Sequence, residues 1–463
     1  MENNYLLQIL QLFKNITLNA IGIERDLYKL LEDGDVDKAL GLFNDRDSEV
    51  DEAISEYNPQ THEVMYRPNK PRKNDRPYIT EKLPRIRQRY INEVELFFLF
   101  GNPVKWHKRE GNDEAFSLFM EFIKNQRFDS KTRQAKRLAG AETESAKLYH
   151  IFRDSSNKIN VNSVIIARST GYKIRTIFDQ YGTLVAFAYG YILKRGGESV
   201  QCWNFETEKM LFFCEKTIIG YKVEMIPNPT GKINVVYYKQ PKAWDGVEAR
   251  IAREEMLDSK VADTNNYFAD PIATATADVI DSLADPSKPG KLIQLMGSNS
   301  RFEYVNPPQS SELRASEKED LKKSILFDTF TPDFSYENIK GLGSLSGAAM
   351  ENSLILGFIK RENRMEIYQE LIDREKAVAI SILKYLHPDK LEQLESLKID
   401  FEFAGPFSED KTKDWNPIMS LYSAGLLSKE TAVPMLGIAD KPEDEINKLN
   451  QQAKSTKETK PRQ

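Results

Sequence analysis

Cysteine is nearly absent from this chain of 463 residues, which carries only Cys202 and Cys214. Both sit in apolar, strand-like stretches and neither belongs to a CxxC pair, so they read as reduced core thiols, not a disulfide framework. Histidine is almost as scarce: His62, His107, His150 and His387 are scattered, with no pair at the spacing of a metal site or of a Cys/His catalytic pair. No apolar run approaches the ~20 residues that would span a membrane. The start, Met1-Glu2-Asn3-Asn4, lacks the basic residues of a secretory signal, and Leu6–Phe13 reads as an amphipathic helix. Positive charge is not in excess either. A net charge of −5 argues against a protein that grips DNA along a basic face.

What is present is a soluble composition, 40% hydrophobic and 29% charged, on a chain long enough for two or three domains. The most informative stretch is Thr331–Tyr385. Its first part, Thr331–Leu345, has an early proline (Pro332) and two glycines (Gly341, Gly343), the make-up of a loop that bends and moves. From Ser346-Gly347-Ala348-Ala349-Met350 there is no proline until Pro388. Leu354, Phe358, Met365, Tyr368, Leu371, Ile372, Ile382 and Tyr385 mark one helix face, with Ser346 as N-cap. About 40 residues at ~1.5 Å each give a rod of roughly 60 Å, long enough to need neighbouring subunits for support. Gly341-Leu342-Gly343-Ser344-Leu345-Ser346-Gly347 can also be read as a nucleotide-binding turn. Against that, the spacing is GxGxxxG, no Lys-Ser/Thr pair follows and no buried strand precedes it.

Along the rest of the chain, helices are expected at Tyr5–Asn15, Ile21–Leu31 and Glu114–Ile151. Between Arg67 and Arg89 nine basic residues interleave with prolines. This is either a nucleic-acid patch or, as the prolines and sparse aromatics favour, an extended arm wrapping an acidic neighbour in a ring. Strands are expected at Ser163–Ala167, Leu184–Leu193, Val200–Phe205, Lys209–Phe213, Ile218–Met225 and Ile233–Tyr238, spaced as an antiparallel meander. Two charged helices, Asp245–Phe268 and Ser311–Phe330, flank a proline-bounded excursion with strands at Lys291–Met296 and Arg301–Val305. Leu397–Phe403 alternates as a half-buried strand, and short helices follow, separated at Gly425 and Ser428.

The loop, the Ser346-Gly347-Ala348-Ala349-Met350 start and the long helix together resemble the tunnel loop and following helix of tailed-bacteriophage portal proteins, in the SPP1-type branch. Val94–Val104, an apolar helix ending in Gly101-x-Pro103-Val104, resembles the same family, as do Phe178–Leu184 and Gly231–Tyr238 of a wing sheet. The likeness runs from Pro84 to Lys448 in the family's order. It implies an α+β, mostly helical portal-type fold assembled as a ring, divided into an N-terminal region and wing (1–244), stem helices (245–268 and 311–330), clip (269–310), tunnel loop (331–345), long helix (346–396), strand and helical crown (397–450) and disordered tail (451–463). It further implies a homo-oligomer of twelve subunits at one capsid vertex, passing double-stranded DNA. Its partners would be the terminase large subunit, major capsid and scaffolding proteins, and head-completion or adaptor proteins. The expected location is the virion, with host cytoplasm during assembly, and no membrane. Twelve copies carry about −60 in total, which repels the duplex within a Debye length. No cofactor, metal or catalytic residue is implied. The expected site residues are Asp333, Ser335, Glu337, Asn338, Lys340, Gly341 and Gly343 on the DNA-facing loop, and Ser346, Gly347 and Ala349 at the helix start. For motor and connector docking on the clip they are Lys288, Lys291, Arg301 and Glu303. The alternatives are a nucleotide-dependent enzyme using Gly341–Gly347 and a non-portal head-tail connector.

Overall fold

The computed structural model describes residues 22–71, 78–269, 273–276, 279–280, 295–296, 301–304, 311–336, 338, 340, 354–406, 411–437, 443 and 445–451. It separates into two compact units, Met1–Ala404 and Gly405–Gln463. The first unit opens with helix α1 (22–32), α2 (Val36–Leu40) and α3 (Asp47–Tyr57), then α4 (Arg87–Phe100). Gly101 follows α4 and donates its N–H to the Phe97 carbonyl at 2.9 Å, so the helix stops where the sequence places the stop. Strand β1 (Lys105–Glu110), α5 (Asp113–Asn125) and α6 (Phe128–Glu142) come next.

The expected helix over Glu114–Ile151 is corrected in two ways. Arg127, at φ 51°, breaks it into α5 and α6, and Thr143, at φ 66°, ends α6 and turns the chain into strand β2 (Glu144–Arg153). Ser145, Ala146, Lys147, Leu148 and Tyr149 are all buried, so both faces of β2 are covered and the inside/outside alternation that would betray a strand is lost. β2 is the centre of a three-stranded sheet between β3 (Ile159–Ile166) and β9 (Val235–Lys239). The expected meander is borne out for its four middle strands, which form an antiparallel five-stranded sheet in order β4 (Lys173–Phe178), β5 (Leu184–Arg195), β6 (Glu198–Thr207), β7 (Met210–Thr217) and β8 (Gly220–Pro227), with β4 an edge that the sequence pattern did not single out; the first and last expected strands are instead β3 and β9, on either side of β2. Ile218 and Ile219, expected in a strand, form the turn between β7 and β8.

One face of the five-stranded sheet packs Ala186, Ala188, Phe205 and Phe212 against Leu27 and Leu31 of α1. The other packs Ile174, Phe187 and Tyr189 against Leu148, Val235 and Tyr237 of the three-stranded sheet. The largest core joins α4, α5 and α6 to the far side of that sheet and to the long helix, here α9. Helix α9 is Ile355–Leu386, 32 residues or ~48 Å, and Leu354 before it has a non-helical backbone (φ −108°, ψ 14°). The start assigned to Ser346 lies outside the described residues. The expectation that this helix needs neighbouring subunits is also corrected. Tyr368, Ile372, Val378, Ala379, Ile382 and Leu383 are buried within the chain's own core. After α10 (Leu391–Glu395), β14 (Lys398–Glu402) pairs antiparallel with β1.

Helices α7 (Glu248–Ala269) and α8 (Ser311–Asp328) pair through Arg253–Glu317 at 2.6 Å, Lys318–Asp258 at 2.7 Å and Arg250–Asp328, over Val247, Ile251 and Ile325. The acidic partner of the basic arm, over its described part, is α7 of the same chain, where a neighbouring subunit was expected. Arg67 pairs with Asp263 (2.8 Å), Arg85 with Asp258, and Arg87 with both oxygens of Glu254 (3.0 and 2.7 Å). The backbone N–H groups of Glu81, Leu83 and Arg85 donate to Asp263, Ser259 and Glu255. Between α7 and α8, β10 (Ala273–Thr276) pairs with β13 (Arg301–Tyr304) and β11 (Val279–Ile280) with β12 (Leu295–Met296), both antiparallel. The partners of the two expected strands are thus supplied by residues the sequence pattern did not single out. In the second unit, α11 (Lys411–Ser423) ends in a left-handed Gly425 (φ 72°), and Ser428 precedes α12 (Lys429–Leu436).

Glu206 on β6 is 8% exposed, on the face shared with Asn204 and hence toward the three-stranded sheet; its Oε2 has no hydrogen-bond partner among the described residues. Burial raises its carboxyl from 4.5 to about 7 despite the lowering effect of the Asn234 N–H. Between those pH values the folded chain keeps a proton that the unfolded chain releases. Stability therefore falls as pH rises through this window, by ~3 kcal/mol from this group, and levels off above it. Glu206→Gln is expected to remove that part of the slope: its urea midpoint should exceed the parent's at pH 8 and match it at pH 4. Parallel pH profiles for the two proteins would contradict the assignment.

Candidate functional site

The connection from α8 to α9 begins in a tight reversal. Thr329 Oγ1 donates to the Ile325 carbonyl, Phe330 takes a left-handed conformation (φ 49°), and the Phe330 and Thr331 amides reach back to Phe327 (3.0 Å) and Leu326 (2.8 Å). This is a Schellman-type end with phenylalanine where glycine is usual, a conformation that costs ~1–2 kcal/mol and persists only where the surroundings fix it.

The surroundings do fix it. Tyr90 of α4 donates its hydroxyl to the Pro332 carbonyl at 2.6 Å and accepts from the Phe334 N–H at 2.7 Å, closing a bridge across Asp333. The Phe334 ring lies edge-on to Phe97 and stacked on Phe98, both centroids 6.4 Å away. Asp333 receives the Lys322 ammonium at 2.7 Å and the Ser335 N–H at 3.0 Å. Burial alone would raise this carboxyl, but Lys322 and Ser335 outweigh it and hold the pKa below the ordinary range. Thr331 is buried and accepts from Lys360 of α9 at 3.2 Å.

Lys360 leads to the centre of the arrangement. Its ammonium lies 3.5 Å from Glu95 of α4, a carboxylate with no exposure that also meets Lys136 of α6 at 2.7 Å and Arg364 of α9 at 3.2 Å. Gln240 donates to the same carboxylate at 3.1 Å and accepts from the Tyr368 hydroxyl. Burial would push Glu95 up; the three cations drive it far below its usual value instead. Lys360 goes the other way, to about 8, because burial and the neighbouring Lys136 and Arg364 outweigh Glu95. Gly357, one turn before Lys360, packs so closely on Phe98 that any Cβ there would clash with the ring.

The expected loop residues therefore divide. Asp333 and Ser335 belong to a clamped root and are partly buried, whereas Asn338 and Lys340 are exposed. Tyr336, Asn338 and Lys340 are helical where a loop was expected. The physical reason is that no glycine or proline interrupts the chain between Pro332 and Gly341, and Asp333 accepts the free Ser335 N–H at the start of the turn. Glu337, Gly341, Gly343, Ser346, Gly347, Ala349, Lys288 and Lys291 lie outside the described residues. Arg301 and Glu303 sit on β13, opposite Thr276 and Thr274. Among described residues, what precedes Gly341 is helix α8 and the clamped root with no strand, so the context of a nucleotide-binding turn is missing. An open groove of about 800 Å³ runs beside the root, bounded by Lys322, Phe327, Asp333, Asn338 and Leu356. Tyr90, Lys322, Lys360 and Glu95 had not been singled out from the sequence. The one legible signal was Gly357, a helix-weakening residue whose place inside an apolar-periodic helix marks a close approach.

Comparison with known proteins adds a family. The profile described as "Phage portal protein, SPP1 Gp6-like" matches residues 43–459. No curated protein matches the chain. Among solved structures, a chain from the neck of a native gene transfer agent particle with C12 symmetry is similar at 10% identity and TM-score 0.40, covering 77% of this chain and 89% of that one. A chain from a native gene transfer agent virion is similar at 9% identity and TM-score 0.39, with the same coverages. At this level the structural likeness supports no assignment.

Tyr90→Phe removes both arms of the bridge and leaves the ring in place. It is expected to cost ~1–2 kcal/mol of stability and to speed hydrogen exchange of the Phe334 amide by more than that of the α9 amides. Unchanged exchange at Phe334 would show that the aromatic contacts alone hold the root.

Proposed function

The chain belongs to the phage portal protein family, SPP1 Gp6-like, and on that premise we propose that it assembles as a ring at one capsid vertex, through which double-stranded DNA is packaged and later ejected. In this reading α7 and α8 are the stem, and the β10–β13 and β11–β12 pairs are the clip. The segment 331–345 is the tunnel loop, α9 the long helix of the wing, and 397–450 the strand and helical crown. The clip docks the terminase large subunit during packaging and head-completion or adaptor proteins afterwards, while major capsid and scaffolding proteins meet the outer body. The protein would reside in the virion, after assembly in the host cytoplasm. It acts without a cofactor and the motor's ATPase is a separate polypeptide.

One observation supports this reading above the others: the loop root. A collar through which a duplex slides needs loop tips free to shift and roots that do not. Here Thr331–Ser335 is tied to α4, α8 and α9 by five side chains, and the glycines lie beyond it in sequence. Asp333 is consumed by Lys322, so the charge facing DNA falls to the residues after it, of which Asn338 and Lys340 are exposed.

The double variant Gly341→Ala/Gly343→Ala is expected to form rings as the parent does by negative-stain imaging but to package or retain less DNA. A photocrosslinking residue in place of Asn338 should label packaged DNA. Rings with normal packaging and no label would remove the loop from the mechanism.

The clip makes a separate prediction. Because β10 pairs with β13 and β11 with β12, the excursion must be removed as a unit: replacing 273–304 by a short Gly/Ser linker should leave the melting of the rest unchanged. Terminase docking should be lost. Packaging supported by that variant would refute the clip assignment.

A further inference from the structure

The turn between β7 and β8 is built from the wrong residues for a turn. Thr217 and Gly220 close the hairpin as a cross-strand pair, leaving Ile218 and Ile219 as its two tip residues. Two-residue hairpin tips ordinarily use Asn, Asp or Gly, for conformational reasons, and gain nothing from β-branched apolar side chains. Both isoleucines are fully exposed, at 104% and 99% relative exposure. The fold does not need them.

The same sheet carries a cavity of matching character. Tyr172, Gly190, Tyr191, Ile192 and Trp203 line a hollow of about 440 Å³ near its other edge, β4. The Trp203 ring lies across Gly190, where any Cβ would clash. The Trp203 indole Nε1 is buried without a hydrogen-bond partner among the described residues. The cations on the rim, Arg168 and Lys173, are already paired with Asp47 and Asp51, so the hollow offers apolar and aromatic lining, not net charge.

We propose that the Ile218–Ile219 tip of one subunit inserts into the Tyr172–Tyr191–Trp203 hollow of the next, linking neighbouring subunits. This rests on the ring reading above. A closed ring uses a heterologous contact, in which each subunit presents two different, complementary patches. Tip and hollow meet that requirement, since β8 and β4 are opposite edges of one continuous sheet. A subunit's own tip is separated from its own hollow by the strands between them, so the occupant is a second copy. Both features also lie toward the same end of the sheet: Ile192 pairs with Gln201, and Cys202 with Glu215 two residues before the β7 terminus. The isoleucines supply the apolar side chains that such a hollow accepts.

The test uses the full-length protein. Ile218→Cys combined with Ser199→Cys, a residue on the exposed rim of the hollow, should give a ladder of disulfide-linked multimers from oxidised rings on non-reducing gels; each single variant should give none. Ile218→Asp/Ile219→Asp changes only exposed positions, so its circular dichroism and melting as a monomer should match the parent, while the concentration needed for ring assembly should rise at least ~10-fold. Parent-like assembly of the Asp variant, together with no ladder from the double-cysteine rings, overturns the inference and leaves the ring standing. An Asp variant that forms rings normally but fails only to bind capsid protein also overturns it, assigning the tip to a different partner. Absence of rings from the parent chain under all conditions, including co-expression with capsid protein, counts against the ring reading itself and takes the inference with it.

Discussion

A single buried carboxylate ties together the parts of the first unit that matter most. Glu95 is inaccessible to water, and three cations from two other helices converge on it. An isolated charge in such a place costs several kcal/mol, and removing one member of a buried cluster costs more than the net value of the pair, because the remainder are stranded. The consequence is geometric. Helices α4, α6 and α9 cannot slide past one another without separating Glu95 from Lys136, Lys360 or Arg364. A second buried pair, Lys147 with Glu375 at 2.6 Å, ties β2 to α9 in the same way further along the helix. Apolar packing would give these helices attraction without register; the ion clusters give register.

That register is passed to the loop through one atom. Lys360 holds Glu95 and also donates to Thr331, so the first residue of the root is fixed relative to the same cluster that fixes the long helix. Tyr90, five residues from Glu95 on α4, fixes the next three. The stem enters through Lys322 and the reversal at Phe330. A displacement of α8 would therefore be felt at the root before any loop tip moved.

Much of the architecture was legible in the sequence because its signals are local. The meander shows as β-branched and aromatic runs between turn residues, the paired charged helices show as opposite signs three and four apart, and the α4 stop shows at Gly101-x-Pro103. Several of the misreadings share one cause: buried charge looks like surface. Glu144 and Lys147 made β2 resemble a helix, yet both are buried in a central strand. Lys360, Arg364 and Glu375 carry no apolar signal, yet they join the buried ion clusters of α9. The basic arm was read as reaching outward because its acidic partners lie about 170 to 196 residues away in sequence, on α7. Periodicity reports which residues are apolar; it does not report which polar residues have found each other.

The arm also bears on how a ring would form. Had the acidic face of α7 been left for a neighbour, the stem would be unstable in the monomer and folding would wait for assembly. Instead Asp263, Ser259, Glu255 and Glu254 are satisfied within the chain, and α7 and α8 are already joined by ion pairs over an apolar seam. The α7–α8 pair is thus ordered within the single chain, and little ordering entropy would remain to be lost there in any association. What the chain leaves exposed is selective: Leu313 and Phe327 on α8, at 76% and 64% exposure, and Ile79, Leu83 and Ile86 on the outer side of the arm. Two apolar surfaces on different elements of one preformed body suit head-to-tail association. A rigid subunit can close a ring of fixed size only if such contacts set the angle between copies, and a preformed stem removes one source of variation in that angle.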